Sequence, residues 1–271
     1  MKLAFSTLGC PKWALERIAE FAGTSGYDGV ELRVHANGVH MFENASIDDA
    51  RRISKIFIER GTRIFSLKTY CNFGSHIQDE LVANQNKLHA LLALASAMDV
   101  RYVRVFAGLF SKHKDEKSAV HDVVRYLTPC AKRAKELGIT IGIETHDDWA
   151  KRLNLLVEVV NGIGTGTGIV WDFVNVFFAS NIDVATQYVT IGEYVVYCHV
   201  KDAVRTSEGK VKPVAFGTGS APVRELVEVL KKDNKDIYLS CESEKMWHPE
   251  LPEPEEEFPS YLKQMRQLLN S

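Results

Sequence analysis

The chain has 271 residues, of which 33 are Lys or Arg and 35 are Asp or Glu, so its formal net charge is -2. Neither sign of charge is concentrated in a long block. This argues against capture of nucleic acid or of an anionic membrane, and it favours a small neutral or modestly charged partner. With 45% hydrophobic residues the chain can bury a large core, which predicts a single domain over residues 1–271.

The cysteines and the N-terminal residues indicate a cellular compartment. The five cysteines are odd in number and none stands in a C-x-x-C spacing, which is typical of reduced thiols in a cytosolic protein. The first residues contain one lysine and then a short mixed run, without the apolar stretch of a secretion signal or a membrane span. We therefore expect a cytoplasmic protein that is not anchored in a membrane.

Short β-rich runs alternate eight times with longer segments in which apolar residues recur three and four positions apart. The runs are Leu3–Leu8, Gly29–Val34, Arg63–Tyr70, Tyr102–Ala107, Thr140–Thr145, Gly168–Phe173, Val195–Val200 and Ile237–Cys241. The predicted helices include Trp13–Phe21, Asp48–Arg60, Leu81–Met98, Ser118–Leu137 and Val223–Lys232. Eight such units predict a (β/α)8 TIM barrel of the α/β class, with a closed, parallel, eight-stranded sheet.

Glycines and turns support this architecture. Gly26, Gly61 and Gly138 follow predicted helices and precede strands, where a helix end favours a residue that tolerates positive φ. An open doubly wound sheet is the alternative, but the first strand is followed by residues 7–11, Thr-Leu-Gly-Cys-Pro, and not by a G-x-G-x-x-G turn. We expect the acidic, proline-rich segment Pro252–Pro259 to be a surface loop before the last helix.

Predicted strands five to eight each end in an acid or a histidine. These residues are Glu144, Asp172, His199 and Glu242. Charged groups at the ends of buried strands are costly unless they are paired, hydrogen-bonded or bound to a metal, so four in succession require a shared explanation. Because the ends of neighbouring parallel strands converge at the C-terminal face of a barrel, the pattern predicts a metal site there. The alternative is a buried ionic network that stabilises the mouth of the barrel.

Three carboxylates and one imidazole suit a single divalent ion, Mn2+ or Mg2+ first, with Co2+ or Zn2+ as further options. Glu244 has the same strand parity as Glu242, and we prefer Glu242 because it directly ends the apolar run.

Strand parity and position suggest substrate contacts. Lys201 shares the parity of His199 and His146 that of Glu144, and Glu31 and Lys68 lie near the ends of the second and third strands. We predict that Lys201 orients substrate oxygens and that His146 and Glu31 are binding candidates.

The turn at residues 217–220, Gly-Thr-Gly-Ser, allows two interpretations. It is a tight turn in which Ser220 caps the next helix, which we favour, or a phosphate site built from backbone N–H groups.

At these residues the sequence resembles the xylose-isomerase-like superfamily of sugar isomerases and epimerases, over essentially the whole chain. The matching stretches are Gly26-Tyr27-Asp28-Gly29-Val30-Glu31, Ile143-Glu144-Thr145-His146, Trp171-Asp172, His199-Val200-Lys201-Asp202, Gly217-Thr218-Gly219 and Leu239-Ser240-Cys241-Glu242. The resemblance implies that the four strand-end residues bind one divalent ion and that Glu144 and Glu242 also move protons on the substrate. It implies a substrate contact for Arg205, which stands six residues after the metal histidine, and places Asn175 where ketose 3-epimerases have a histidine.

The resulting hypothesis is a metal-dependent isomerase or epimerase that acts on a sugar, sugar phosphate or polyol by proton transfer next to a carbonyl, through a metal-bound enediolate. A metal-dependent lyase or dehydratase acting on an inosose-like keto-polyol is the alternative, and a non-catalytic sugar-binding barrel is the third option. The expected partner is a small molecule, with no nucleic acid or membrane, and barrels of this group commonly form homo-oligomers.

Overall fold

A computed structural model describes all residues from 1 to 271 and shows eight parallel strands closed into a barrel. The barrel strands are β1 (Lys2–Ser6), β2 (Gly29–His35), β3 (Ile64–Asn72), β4 (Tyr102–Phe106), β5 (Thr140–Glu144), β6 (Thr167–Asp172), β7 (Val195–Val200) and β8 (Tyr238–Cys241). The sheet closes because β1 pairs in parallel with both β8 and β2. The predicted TIM barrel is confirmed, with strand ends shifted by at most two residues.

Nine helices surround the barrel. They are α1 (Leu15–Ser25), α2 (Ile47–Ile58), α3 (Gln78–Ala97), α4 (Glu116–Glu136), α5 (Leu153–Ile163), α6 (Phe173–Ser180), α7 (Val184–Ile191), α8 (Val223–Lys232) and α9 (Pro254–Asn270). The expected helix ends are present, since Gly26, Gly61 and Gly138 all have φ between 71° and 76°. None of the helices combines the length and the apolar character that crossing a bilayer requires.

The barrel interior is filled towards the N-terminal ends of the strands. Ala4, Phe65, Val170 and Tyr197 are buried there as a small cluster, apart from the main apolar core of 68 buried residues. A Cβ on Gly142 would come within 2.5 Å of Val170 Cγ2, so this strand position requires glycine. Because side chains fill the barrel at the N-terminal ends of its strands, the polar side chains of the strands meet at the C-terminal mouth.

A short antiparallel hairpin, formed by residues Asp202–Arg205 and Val211–Val214, follows β7. This hairpin was not predicted from the sequence, because its strands have only four residues each and are joined by a charged turn. The hairpin stands beside the mouth of the barrel, where Ala203, Val211 and Pro213 line a groove of about 290 Å³.

The glycine turn at residues 217–220 differs from both interpretations of the sequence. Ser220 does not cap α8, whose N-cap is Pro222 without a side-chain cap. The Asp202 carboxylate accepts hydrogen bonds from the backbone N–H groups of Gly217, Gly219 and Ala221 at 2.8–3.1 Å. An internal carboxylate therefore occupies the backbone donors that a phosphate would need.

The expectation that Pro252–Pro259 is a surface loop is wrong from its third residue onward, because α9 begins at Pro254. Proline is tolerated in the first helical turn, where its missing N–H would have no partner. Glu255, Glu256 and Glu257 fill the same turn, where negative charge is favourable against the helix dipole. The acidic and proline-rich composition is thus that of a helix N-terminus.

Candidate metal centre and substrate cavity

The four predicted ligands meet at the C-terminal mouth of the barrel. They stand at the ends of β5, β6 and β7 and directly after β8, and they are Glu144, Asp172, His199 and Glu242. One ligand atom from each lies within 4.8 Å of the other three, and all four side chains are buried. The convergence follows from the parallel sheet, because neighbouring strands end at one rim about 4.8 Å apart.

Local structure fixes Asp172. This residue is the N-cap of α6, and its Oδ1 accepts a hydrogen bond of 2.9 Å from the backbone N–H of Asn175. Its own backbone N–H donates to Thr145 Oγ1 at 2.8 Å. The second carboxylate oxygen, Oδ2, lies 2.8 Å from Lys201 Nζ. At the junction of β6 and α6, Oδ1 therefore caps the helix, and Oδ2 points towards the cluster.

His199 is held between carboxylates on both sides of its ring. Its Nδ1 lies 2.9 Å from Glu144 Oε1 and 3.3 Å from Glu242 Oε1. Its Nε2 lies 3.0 Å from Glu31 Oε2, and Glu31 Oε1 also accepts a hydrogen bond of 2.7 Å from the Tyr197 hydroxyl. A carboxylate behind a ligand histidine fixes its ring orientation, so Glu31 turns Nδ1 towards the cluster.

The mouth is divided into two halves of opposite charge. On β2, β3 and β4, Arg33, Lys68 and Arg104 lie side by side in the sheet register, opposite the acidic ends of β5 to β8. Lys68 Nζ contacts Glu242 Oε1, and Arg104 Nε lies 3.2 Å from Glu144 Oε2. These contacts compensate two of the buried carboxylates, which would otherwise be costly to desolvate.

Lys201 adds a cation from the acidic side. Its Nζ lies 2.8 Å from Asp172 Oδ2, 3.1 Å from Glu242 Oε2 and 2.7 Å from Glu244 Oε1. Burial would lower the pKa of Lys201, but these carboxylates raise it well above its usual range. The side chain is therefore a fixed positive charge between the candidate ligands and Glu244.

The pKa shifts of the other buried groups show which charges are stabilised by a neighbouring charge of opposite sign. Burial alone would raise the pKa of Glu31, but the charges of His199 and Lys68 lower it to about 2. Burial alone would lower the pKa of His199, yet the charges of Glu242 and Glu31 raise it to about 10. For Asp172, burial raises the pKa to about 6 against the opposing charge of Lys201. Asp172 is thus the ligand carboxylate with the least compensation.

The donor set fits a divalent cation. Glu144 Oε2 and Asp172 Oδ2 are buried and accept no hydrogen bond, although each faces a cation. Buried carboxylate oxygens are normally hydrogen-bonded or bound to a metal. Three carboxylates with one imidazole provide the oxygen-rich surroundings that Mn2+ or Mg2+ prefers and that Co2+ and Zn2+ accept. The cluster could therefore hold one divalent ion.

A polar cavity of about 140 Å³ opens over the cluster. Its wall combines the charged groups of both halves with aromatic side chains, and it includes Lys68, Tyr70, Arg104, Phe106, Glu144, His146, Lys201, Glu242, Glu244 and Trp247. The groove beside the hairpin shares Lys201 and Glu244 with it. Two larger depressions of about 430 and 600 Å³ lie among residues at the N-terminal ends of the strands, away from the cluster. The smaller cavity is the one that the candidate chemistry can use.

Two of the predicted substrate contacts lie on the wall of this cavity. Lys201 presents its ammonium group there, and His146 lies with its ring centroid 4.8 Å from that of Phe106. The Nδ1 atom of His146 is 3.0 Å from Asp147 Oδ1, and its side chain is 42% exposed. Both side chains can therefore reach a molecule in the cavity.

The other three predicted contacts lie outside the cavity wall. Arg205 donates to two backbone carbonyl groups, at 2.7 and 3.1 Å, and is partly exposed on the hairpin. Asn175 lines the adjoining groove and donates from Nδ2 to a backbone carbonyl at 3.3 Å. Glu31 is fully buried against His199. A substrate contact by any of them stays a prediction.

The sequence analysis did not single out Arg33 and Arg104. Both interrupt apolar runs at positions whose parity points into the barrel, since Glu31 and Arg33 share one face of β2. An arginine at an inward position of a buried strand was the available signal.

The fold and the cluster together define an α/β barrel with a candidate metal centre at its C-terminal mouth. The chain belongs to the xylose isomerase-like TIM barrel family, whose family model matches residues 19–268. No curated protein matches the chain by sequence.

Solved structures share the fold at low sequence identity. The chain is similar to D-psicose 3-epimerase determined in the presence of D-fructose, with a TM-score of 0.79 and 16% identity over 100% of both chains. It is similar to the IolI protein with a bound zinc atom, with a TM-score of 0.78 and 17% identity over 99% of this chain and 98% of that one. It is also similar to the probable 3-DHS dehydratase AsbF from Bacillus anthracis, with a TM-score of 0.76 and 17% identity over 100% and 99%.

Proposed function

We propose that the protein is a divalent-metal-dependent isomerase or epimerase that acts on a small sugar, sugar phosphate or polyol by proton transfer at a carbon next to a carbonyl. The observation that carries this proposal is that Glu144 and Glu242, which both line the polar cavity, meet at one buried atom, His199 Nδ1. Two carboxylates at one point can serve as base and acid on a single substrate. A D-psicose 3-epimerase structure with the same fold supports the proposal.

Glu144, Asp172, His199 and Glu242 would hold the ion. When bound there, a divalent cation would polarise the substrate carbonyl and make the neighbouring C–H more acidic. Mn2+ or Mg2+ is the choice that the oxygen-rich donor set favours. A neighbour with the same fold carries zinc, so Zn2+ and Co2+ belong in the same test.

Glu144 and Glu242 are the proton carriers in this proposal. Burial opposes their ionisation, but the charge of Arg104 lowers the pKa of Glu144 and the charges of His199, Lys201 and Lys68 lower the pKa of Glu242. Both are therefore carboxylates at neutral pH, as a base requires. One removes the proton from the substrate carbon and is thereby protonated, so that it can return this proton to the neighbouring carbon, which completes an isomerisation. In an epimerisation Glu242 would first take a proton from the Lys201 ammonium group, 3.1 Å from its Oε2, and deliver it to the opposite face of the enediolate, after which solvent restores both groups.

The cations around the cavity assist the same step. Lys68 and Arg104 stand on the wall opposite the ligands of β6 and β7, where positive charge stabilises the negative charge that develops on the enediolate. Lys201 and His146 lie where they can orient substrate hydroxyl groups. Glu31 acts through His199, whose ring it orients.

Dehydration is the second candidate reaction. The Lys201 ammonium group lies between the ligand cluster and Glu244 on the cavity wall. From there it can give a proton to a β-hydroxyl group as that group leaves an enediolate, which converts isomerisation into loss of water. One structure with the same fold is described as a probable 3-DHS dehydratase.

The test is NMR in D2O with Mn2+-loaded protein and a panel of keto-sugars, inososes and sugar phosphates. We expect deuterium to enter at a carbon next to the carbonyl of at least one compound, with an isomer or epimer as product. An enone product would favour the dehydratase instead. Glu144→Gln and Glu242→Gln are expected to slow exchange by about 10²- to 10⁴-fold, whereas Glu20→Gln, at an exposed position on α1, serves as the control.

Absence of both deuterium exchange and turnover across the panel would contradict an enzymatic role. Retained sugar affinity in that case would favour a non-catalytic binding barrel. The cytoplasmic location and the homo-oligomer stay predictions. All five cysteine thiols are buried and form no disulfide.

A further inference from the structure

Arg33 is a buried guanidinium group without a carboxylate partner. It stands on β2, is 0% exposed and shares the inward face of the strand with Glu31. Its Nε donates to the Tyr70 hydroxyl at 2.9 Å and its Nη1 to Asn37 Oδ1 at 3.0 Å. Its Nη2 is buried and has no hydrogen-bond partner. No group within the chain thus accepts a hydrogen bond from the Nη2 group of Arg33.

The neighbouring cations are different. Lys68, next to Arg33 in the sheet register, pairs with Glu242, and Arg104, next to Lys68, pairs with Glu144. A buried charge without a partner is costly. Arg33 is therefore the member of this row whose counter-charge has to come from outside the chain.

Arg33 lies beside the substrate cavity. Its guanidinium carbon is 5.0 Å from the ring centroid of Tyr70 and 5.7 Å from that of Trp247, and both aromatic side chains line the cavity. Trp247 is 54% exposed, so its ring covers Arg33 from the solvent side and can move without breaking the core. The same cavity wall contains Glu144 and Glu242.

The charges of the mouth also favour a negative ligand. The carboxylates Glu31, Glu144, Asp172 and Glu242 are equal in number to the cations Arg33, Lys68, Arg104 and Lys201, of which only Lys201 is partly exposed, at 11%. His199 adds no charge to this balance once it holds an ion, because a ligand imidazole is neutral. A divalent ion on the four ligands would make the mouth positive, and even Glu244 at the rim would not cancel both added charges. A positive, partly desolvated cavity binds an anion more tightly than a neutral molecule of the same shape.

We propose that Arg33 anchors an anionic group of the substrate, a carboxylate or a phosphate, and that the substrate is therefore a sugar acid or sugar phosphate. The inference rests on the proposed function and narrows its substrate class. The free Nη2 group, beside Tyr70 and Trp247, would donate to one or two anionic oxygens while the carbonyl end of the substrate lies over Glu144 and Glu242. A guanidinium group suits both anions because its planar donors match carboxylate and phosphate oxygens.

The experiment compares three sugars that share one carbonyl end and differ at the other. D-fructose is neutral, D-fructose 6-phosphate carries a phosphate and D-fructuronate carries a carboxylate. Binding to Mn2+-loaded protein is measured by calorimetry. We expect at least one of the two anionic sugars to bind about tenfold or more tightly than D-fructose, and the anion that does so identifies the group that Arg33 accepts.

Variants assign the preference to Arg33. In Arg33→Gln the preference should disappear while the affinities for D-fructose and Mn2+ stay unchanged, and in Arg33→Lys it should be reduced because one edge of donors is lost. Arg63→Gln, at an exposed position before β3, is the matched control. Equal binding of the three sugars by the parent protein, or no binding of either anionic sugar at millimolar concentration, overturns the proposal without any variant. So does an equal loss of affinity for all three sugars in Arg33→Gln.

Mn2+ titration and deuterium exchange on the same samples separate the two proposals. Failure of the anion preference with normal Mn2+ binding and exchange rejects the role of Arg33 alone. Failure of Mn2+ binding rejects the metal-dependent function itself.

Discussion

Glu31 Oε2 lies 3.0 Å from His199 Nε2, on the side of the imidazole opposite Glu144 and Glu242. Because Glu31 is fully buried behind the histidine and is not on the cavity wall, we propose that it positions the ring. The acids at the mouth of the barrel therefore have two proposed roles. Glu144 and Glu242 would bind the ion, whereas Glu31 would orient His199, a ligand of that ion.

The first prediction concerns this pair. Glu31→Gln removes the negative charge behind His199 and leaves the four ligands in place, so we expect Mn2+ affinity to fall by about 10- to 100-fold. Calorimetric titration with Mn2+ measures the change. Glu20→Gln on the outside of α1 is expected to bind Mn2+ like the parent protein. Unchanged Mn2+ affinity in Glu31→Gln would show that the ring is held without this carboxylate.

The second prediction concerns the ion and the stability of the fold. A ligand that binds only the folded state adds about 2.7 kcal/mol to the free energy of unfolding at a hundredfold excess over its Kd. We expect Mn2+ to raise Tm and a chelator to reverse the increase. Asp172→Asn should lose most of the increase, because it replaces the carboxylate whose Oδ2 accepts no hydrogen bond within the chain. An equal increase in Asp172→Asn would place the ion elsewhere, and Asp79→Asn, exposed on α3, is the control.

A third prediction concerns the glycine turn. The Asp202 carboxylate accepts hydrogen bonds from Gly217, Gly219 and Ala221 and from its own neighbour Ala203. Asp202→Asn removes the charge and turns one acceptor into a donor, so we expect the free energy of unfolding to fall by about 2 kcal/mol. Urea denaturation measures the loss, again with Asp79→Asn as the comparison. A loss as small as in that control would mean that water replaces the carboxylate.

The fourth prediction is a pH dependence. Burial lowers the pKa of His40 from 6.5 to about 4, and the charge of Arg33 acts in the same direction against the hydrogen bond to the carbonyl of Cys10. The unfolded chain therefore takes up this proton at a higher pH than the folded chain. The resulting contribution to stability, about 3 kcal/mol, is complete above pH 6.5 and is lost as the pH falls towards 4.

Urea denaturation of the parent protein and of His40→Gln, at neutral pH and between pH 4 and 6.5, tests this dependence. The parent should lose more stability on acidification than the variant. His121→Gln, at an exposed position on α4, should behave like the parent. Parallel losses in the parent and in His40→Gln would exclude His40 as the source.

The barrel and the clustering of the four candidate ligands could be predicted because both depend on signals that are local in the sequence. Eight apolar runs of strand length gave the sheet, and an acid or histidine at the end of the last four runs marked Glu144, Asp172, His199 and Glu242. The periodicity of a strand also decides which side chains share a face, so the ligands, Lys201 and His146 were expected on the inside.

The cationic half of the mouth depends on information that is not local. Arg33, Lys68 and Arg104 become neighbours only through the register of β2, β3 and β4, and a single chain position does not indicate its cross-strand partner. The role of Asp202 was missed for the same reason, since its partners lie 15 to 19 residues further along the chain. The start of α9 was misplaced because prolines and acids fit both a loop and a first helical turn.

The ion pairs of the mouth have a consequence for how the protein is made. In small zinc domains the metal supplies the folding free energy, and the chain is unfolded until the metal arrives. Here Lys68 and Lys201 contact the carboxylates of Glu242 and Asp172, and an apolar core of 68 buried residues surrounds the sheet. We therefore expect the chain to fold before it binds the ion, so that in the proposed enzyme the supply of metal in the cell would set how much of the accumulated protein is active.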